Sequence, residues 1–260
     1  MTTVSAPAPV GPLLREWRTR RRISQLDLSL EAGISARHLS FLETGRSRPS
    51  REMVLRLAET LEVPPREQNG LLVAAGFAPV YGERSLDDPD LAPFSAGIDR
   101  VLAAYEPYPS LVVDRGWNVL RANAGVARLT EGVAPHLLER PNALRLSLHP
   151  EGLAPRILNL GEWRHHVLTG LAREAASSGS AVLRELHDEL AAYPGGTAHP
   201  AGPQEVAVTL RVASDAGPLA FVTMVTTFGT ALDLTAAELS IEAFLPADAA
   251  TAAALAGGVG

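Results

Sequence analysis

At 260 residues, with 46% hydrophobic and 20% charged side chains, the chain can bury one large core or two modest ones. It has no cysteine, which excludes disulfides, thiolate nucleophiles and Cys-based metal sites. Its net charge of −6 is divided unevenly: residues 1–70 carry 11 Arg against 8 Asp and Glu, a net of +3, while residues 71–260 carry 12 Arg against 21 acids, a net of −9.

All 23 basic residues are Arg. That choice favours bidentate phosphate contacts, although a GC-rich coding bias, suggested by the abundant Ala, Gly and Pro, explains it more simply. No apolar run approaches the roughly 18 residues of a membrane span, and the first residues lack the basic and apolar regions of a leader. The expectation is a cytoplasmic protein without a membrane partner.

Residues 1–10 are rich in Pro, Ala and Ser and read as a disordered arm. Gly11-Pro12 opens a helix running to Arg22, with Leu13, Leu14 and Trp17 buried and Arg15, Arg18, Arg20, Arg21 and Arg22 outward. Ser24, followed three residues later by Asp27, caps a second helix that must end at Gly33. Ser35 caps a third, whose Leu39 and Leu42, with Ile34 before them, can meet Leu28 and Ala32. A helix pair joined by a glycine turn results. A fourth helix runs from the Ser50 cap through Leu61, and a fifth from Arg66 to Ala75, closing at Gly76.

The outer face of the third helix carries Ala36, Arg37, His38, Ser40 and Phe41, side chains that can reach base edges in a major groove about 12 Å wide. The loop after it adds Arg46 and Arg48 where a phosphate backbone would run. Gln25, Ala32-Gly33, Ser35, Leu39-Ser40, Leu42-Glu43, Gly45 and Arg48-Pro49-Ser50 together resemble the helix-turn-helix of the Xre/Cro/C1 repressor family. The resemblance implies that residues 11–76 form an all-α, five-helix DNA-binding domain on double-stranded DNA. Gln25, Arg46 and Arg48 would hold phosphates, while Ser35, Ala36, Arg37, His38, Ser40 and Phe41 would lie at the bases. Leu26 and Leu30 depart from the usual polar pattern and are either a contact for a partner surface or scattered surface apolars.

Residues 77–97 mix Pro, Gly and acids and read as a linker that ends where a short helix, Ile98 to Tyr105, begins. Ser110 to Asp114 and Trp117 to Arg121 form a hairpin about Asp114-Arg115-Gly116. Ala143 to Gly152 reads as irregular, Ile157–Ser177 and Val182–Tyr193 as helices. Glu205–Ala213, with Val206, Val208, Leu210 and Val212 inward, Pro218–Phe228 and Glu238–Leu245 read as strands, and the tail after Ala247 as loose. An α+β domain with an antiparallel sheet follows.

The stretches SLVVDRGWNVLRAN, LHPEGLAPRILNLGEWRHHVL and TTFGTALDLTAAELSIEAFLPADAAT look like the MmyB-like ligand-binding domain of actinobacterial Xre regulators. That resemblance implies a PAS-like fold over residues 98–252, with 253–260 a loose tail. Trp117, Asn123, Trp163, Phe221 and Met224 are the pocket candidates, the alternative for the tryptophans and Asn123 being ordinary structural burial.

No nucleotide-loop, nucleophile-elbow or H-E-x-x-H motif occurs. In Glu162-Trp163-Arg164-His165-His166 the adjacent histidines diverge by about 100° on a helix and cannot chelate one ion. No metal, cofactor or catalytic residue is expected. The reading is a homodimeric transcription regulator on an inverted repeat, with a C-terminal domain that senses an apolar or fatty-acid-like effector or else only dimerises.

Overall fold

The computed structural model describes residues 9–198, 208–215, 217–228 and 233–257. The principal break in the chain falls between Glu83 and Arg84 and separates two compact units.

The N-terminal unit has five helices: α1 (Val10–Arg20), α2 (Gln25–Glu31), α3 (Ala36–Glu43), α4 (Arg51–Thr60) and α5 (Pro65–Ala74). Three start on a serine whose oxygen accepts the N–H three residues on: Ser24 from Asp27, Ser35 from His38 and Ser50 from Met53. Each such cap satisfies a backbone donor the helix leaves free and stabilises it by about 1 kcal/mol. Gly33 closes α2 at φ +65°, a conformation that a Cβ would penalise. Leu14 and Trp17 of α1, Leu28 of α2, Leu39 and Leu42 of α3, Val54 and Leu57 of α4, and Leu71 and Leu72 of α5 form one buried core.

Two expectations for this unit are corrected. Helix α1 starts at Val10 and stops at Arg20, while residues 1–8 of the expected arm lie outside the described residues. Arg18 and Arg21 are not free on the outer face: Arg18 bonds Glu43 and the Ile23 carbonyl, and Arg21 donates to the carbonyls of Leu61 and Glu62. The first part of the expected linker is fastened to α5. The Asn69 carboxamide accepts from the N–H groups of Val80 and Tyr81 and donates to the Tyr81 carbonyl, at 2.8–3.1 Å.

In the C-terminal unit a 3-10 turn at Pro89–Leu91 leads into α6 (Ala92–Tyr105), six residues earlier than the sequence suggests. There follow β1 (Ser110–Val113), β2 (Val119–Ala122), α7 (Ala127–Thr130), α8 (Pro135–Glu139), α9 (Ala143–Leu148), α10 (Leu160–Ser178), α11 (Ala181–Ala192), β3 (Leu210–Val212), β4 (Leu219–Thr227), α12 (Leu234–Ala237), β5 (Ser240–Pro246) and α13 (Ala249–Ala256). The strands form an antiparallel sheet in the order β2-β1-β5-β4-β3, with β5 at its centre.

Around the central strands β1 and β5 both faces of the sheet pack against apolar side chains. On one, Val112 and Ile241 pack with Ile98 and Leu102 of α6. On the other, Leu111, Val113, Phe221 and Phe244 pack with Trp163, Val167 and Leu171 of α10, Leu183, Leu186 and Leu190 of α11, and Leu144 and Leu148 of α9. Arg164 is 5% exposed and donates to the carbonyls of Leu190 and Ala191 at 2.8 and 2.7 Å, satisfying the free acceptors at the end of α11.

Residues 143–148 are helical, not irregular, because the Asn142 side chain accepts the Arg145 N–H and caps them. The tail is also ordered to Ala256, with Asp248 capping α13 through the Thr251 N–H and Leu255 fully buried. Of the expected strand Glu205–Ala213 only Leu210–Val212 is strand; Val208 and Thr209 precede it without strand pairing, and residues 205–207, like Gly229-Thr230 of the closing motif, lie outside the described residues.

Candidate DNA-reading face and ligand cavity

Helix α3 presents Arg37 and His38 exposed, with Ala36, Ser40 and Phe41 half-buried beside them. Ser35 spends its oxygen on the His38 N–H, so its role at the surface is to start the helix. The Phe41 ring is a platform for two cations: the Arg37 guanidinium lies 5.3 Å and that of Arg46 5.9 Å from its centroid. Such stacking costs a guanidinium little of its hydrogen-bonding capacity and holds it over the helix surface. Arg48 is exposed in the same loop.

Glu43, in the last turn of α3, is buried and accepts from two helices. Arg18 of α1 reaches it in bidentate fashion, Nε to Oε1 at 2.6 Å and Nη2 to Oε2 at 3.1 Å, and the Gln25 amide of α2 donates to Oε2 at 2.7 Å. The hydrogen bond to Glu43 raises the Arg18 pKa above its ordinary value. Gln25, expected at phosphates, therefore has its amide committed inside the protein. Leu26 and Leu30 are 60% and 70% exposed.

Between the sheet and its covering helices lies a cavity of about 160 Å³. Trp117 and Trp163 both line it; Asn123, Phe221 and Met224 do not. Trp117 sits in the β1–β2 turn at φ +64°, in a loop held by Asp114, whose Oδ1 accepts from the N–H groups of Gly116 and Asn118. Its indole N–H is given to Glu174 at 3.1 Å, and that of Trp163 to Ser147 at 2.7 Å. Burial raises the Glu174 pKa, an effect the Trp117 bond and the Arg115 charge oppose. Asn123 is instead a structural bracket, accepting from Ser110 and donating to the carbonyls of Leu102 and Tyr108. On β4, Thr223 and Val225 line the cavity, so Met224 between them points to the other face; Phe221 is fully buried in the core without bordering the space.

The cavity holds one group that the sequence reading did not single out for a pocket. Glu242 lies mid-strand on β5, paired across the sheet with Leu111 on one side and Val225 on the other, and all three line the cavity. It is 8% exposed, and burial alone pushes its pKa up to about 7. His166 also borders the space, its pKa lowered by burial and by the neighbouring Arg173 and His165 charges. Separately, His136, His149 and Glu151 bring their donor atoms within 4.8 Å of one another at the surface. The alternation on β5, Ile241 one way and Glu242 with Phe244 the other, was the available signal for the inward acid.

The chain thus joins a packed helix pair with an exposed, arginine-bearing face to a sheet and helices that border a cavity. Comparison with known families agrees. Residues 14–68 match the family described as Helix-turn-helix, and residues 94–257 match the MmyB-like transcription regulator ligand binding domain. The second match takes in more than half of the chain, and the chain belongs to that family. It is a DNA-binding transcription regulator with a ligand-binding domain; neither match is to an enzyme family. No curated protein matches it. Among solved structures, "Structure of an RNA-binding Light-Oxygen-Voltage Receptor" is similar at 15% identity over 90% of this chain and 58% of that one, with a TM-score of 0.28, too slight a likeness for anything to follow. Among the described residues no helix is long and apolar enough to cross a membrane.

Proposed function

We propose that the protein docks as a homodimer on an inverted repeat and that a small, mainly apolar molecule in the C-terminal cavity changes its affinity for that DNA. In this reading Arg37 and His38 read bases, with Ala36, Ser40 and Phe41 packed at the same surface, and Arg46 and Arg48 hold phosphates. Gln25 contributes by positioning, through Glu43. The observation that carries the effector half is the cavity itself. Its volume of about 160 Å³ is lined by aliphatic and aromatic side chains where packing at native density would leave no such space. An apolar cavity of roughly 150 Å³ elsewhere takes up benzene, so a single ring or a short acyl chain is the right scale. Regulation requires that the molecule bind the DNA-competent and incompetent arrangements unequally; a coupling of about 1–3 kcal/mol gives a 5- to 150-fold change.

The competing reading, a C-terminal domain that only dimerises, makes a different prediction. Genomic selection with the purified protein should enrich one palindromic sequence, and titration of that operator with unfolded and refolded protein should shift on adding a panel of small apolar compounds. Identical curves, with no compound raising the melting temperature, would leave dimerisation as the domain's role. Enrichment of no shared sequence would refute the DNA-reading assignment.

A further inference from the structure

The cavity described above is mainly apolar, its polar lining limited among the described residues to Thr130, Ser147, His166, Thr223 and Glu242, and the last of these is electrostatically unfinished. Glu242 is 92% buried by its 8% exposure, and its carboxyl group makes no hydrogen bond or ion pair among the described residues. An ionised carboxylate removed from water without a partner is costly, and buried acids in folded proteins ordinarily have one. Here the flanking positions on both neighbouring strands, Leu111 and Val225, and Phe244 two residues along, supply only hydrocarbon. A position at the centre of a five-stranded sheet is also among the least able to swing a side chain out to solvent.

The rest of the lining narrows what could complete it. Both tryptophans give their N–H groups to protein acceptors, Trp117 to Glu174 and Trp163 to Ser147, so they offer the cavity carbon surface and π faces but no donor. No arginine lines the cavity among the described residues. Among the described residues the one other titratable side chain on its wall is His166 of α10, which burial and the nearby Arg173 and His165 charges hold toward its neutral form; Glu174, on the same helix, is turned to Trp117. A carboxylate ligand would find no counter-charge and would face Glu242. An ammonium would find a carboxylate and aromatic rings, the combination that stabilises a desolvated cation.

We propose that Glu242 is the anchor for the effector's polar end, and that the effector is a small apolar amine, an alkyl- or aryl-ammonium of about one ring in size, rather than a fatty acid. The inference rests on the reading that the cavity takes a small molecule, and it adds the chemistry of that molecule. The ammonium donates to the Glu242 carboxylate while the hydrocarbon part lies among the aliphatic and aromatic walls.

The test uses the full chain and three probes of matched shape: benzylamine, toluene and phenylacetate. Affinities are measured by calorimetry at pH 8 and pH 5, with melting temperature as a second readout. At pH 8 benzylamine should bind at least about tenfold more tightly than toluene, the gain of one charge-assisted hydrogen bond, and phenylacetate more weakly than either. Glu242→Gln should remove the amine's advantage and leave toluene unchanged. At pH 5, where the wild-type Glu242 is protonated, the advantage should also vanish, which gives the same answer should the Gln variant not fold. Equal binding of benzylamine and toluene, or phenylacetate binding best, overturns the anchor and leaves the cavity as an apolar site. Failure of all three probes to bind or to raise the melting temperature removes the small-molecule reading and the anchor with it.

Discussion

Replacing Glu242 by Gln should make the empty protein more stable, and the size of the gain should depend on pH in a defined way. The carboxyl pKa is raised from 4.5 to about 7 by burial alone, which corresponds to about 3 kcal/mol of free energy favouring the protonated form in the folded state. Below pH 4.5 the group is protonated in both folded and unfolded chains and contributes no pH-dependent term. As pH rises from 4.5 toward 7 the unfolded chain releases its proton and the folded one does not, so stability falls, and above about pH 7 the full loss is present. Glutamine carries a similar fixed desolvation cost but cannot ionise, so the difference between the two proteins isolates the ionisation. His166 and Glu174 also titrate, yet they occur in both proteins and cancel unless coupled to Glu242. Urea unfolding at half-unit steps from pH 4 to 8.5 measures the effect. The stability difference should rise by about 3 kcal/mol across the range and then level off. A difference that stays flat with pH would mean that Glu242 is ionised and solvated in the folded protein, and the argument from burial would be wrong.

Arg18→Met should destabilise the N-terminal unit more than Glu43→Gln: the first leaves a carboxylate only 1% exposed without its charge partner, at about 3–5 kcal/mol, while Arg18, 13% exposed, can turn toward water. Melting temperatures in the opposite order would refute the clamp. Gly11→Ala should cost about 1–3 kcal/mol despite alanine's better helix propensity, because its Cβ would stand 2.4 Å from the Leu42 carbonyl oxygen and 2.8 Å from that of Glu43. A denaturation midpoint equal to wild type would show that α1 and α3 are not in such close contact. On operator DNA, Arg37→Ala should lose about 1–3 kcal/mol and relax base preference at one position per half-site, whereas Arg48→Ala should weaken all sequences alike and lower the salt slope by about one. Equal effects of both on base preference would count against the assigned roles.

The helix caps were legible in the sequence because they are local: Ser24, Ser35 and Ser50 each lie three residues before the N–H they accept. The strands read well for the same reason, since alternation and β-branching act between near neighbours. Two further caps, Asn142 and Asp248, were equally local and passed over. One preceded a helix of only 6 residues, and the other a run of alanines that resembles a loose tail by composition. The Arg18–Glu43 pair could not be read, because it joins residues 25 apart whose meeting depends on how α1 crosses α3. Glu242 was hidden by the sheet itself. On a strand covered on both faces, Ile241 and Phe244 look alike in pattern, and nothing local says which face holds the space. Met224 failed as a pocket residue by the same one-residue uncertainty.

The way Glu43 is held also constrains what a bound effector can change about gene choice. Helix α3, the proposed reading helix, is fixed at its start by Ser35 and at its last turn by contacts from both α1 and α2, so it has no soft joint within its own domain. Any signal reaching it moves the domain as a block and leaves the arrangement of Arg37 and His38 on it intact. On the dimeric reading proposed above, the letters of the preferred half-site should therefore be the same with and without effector, and the set of responsive promoters should differ only in how far apart, and in what rotational phase, their two halves lie.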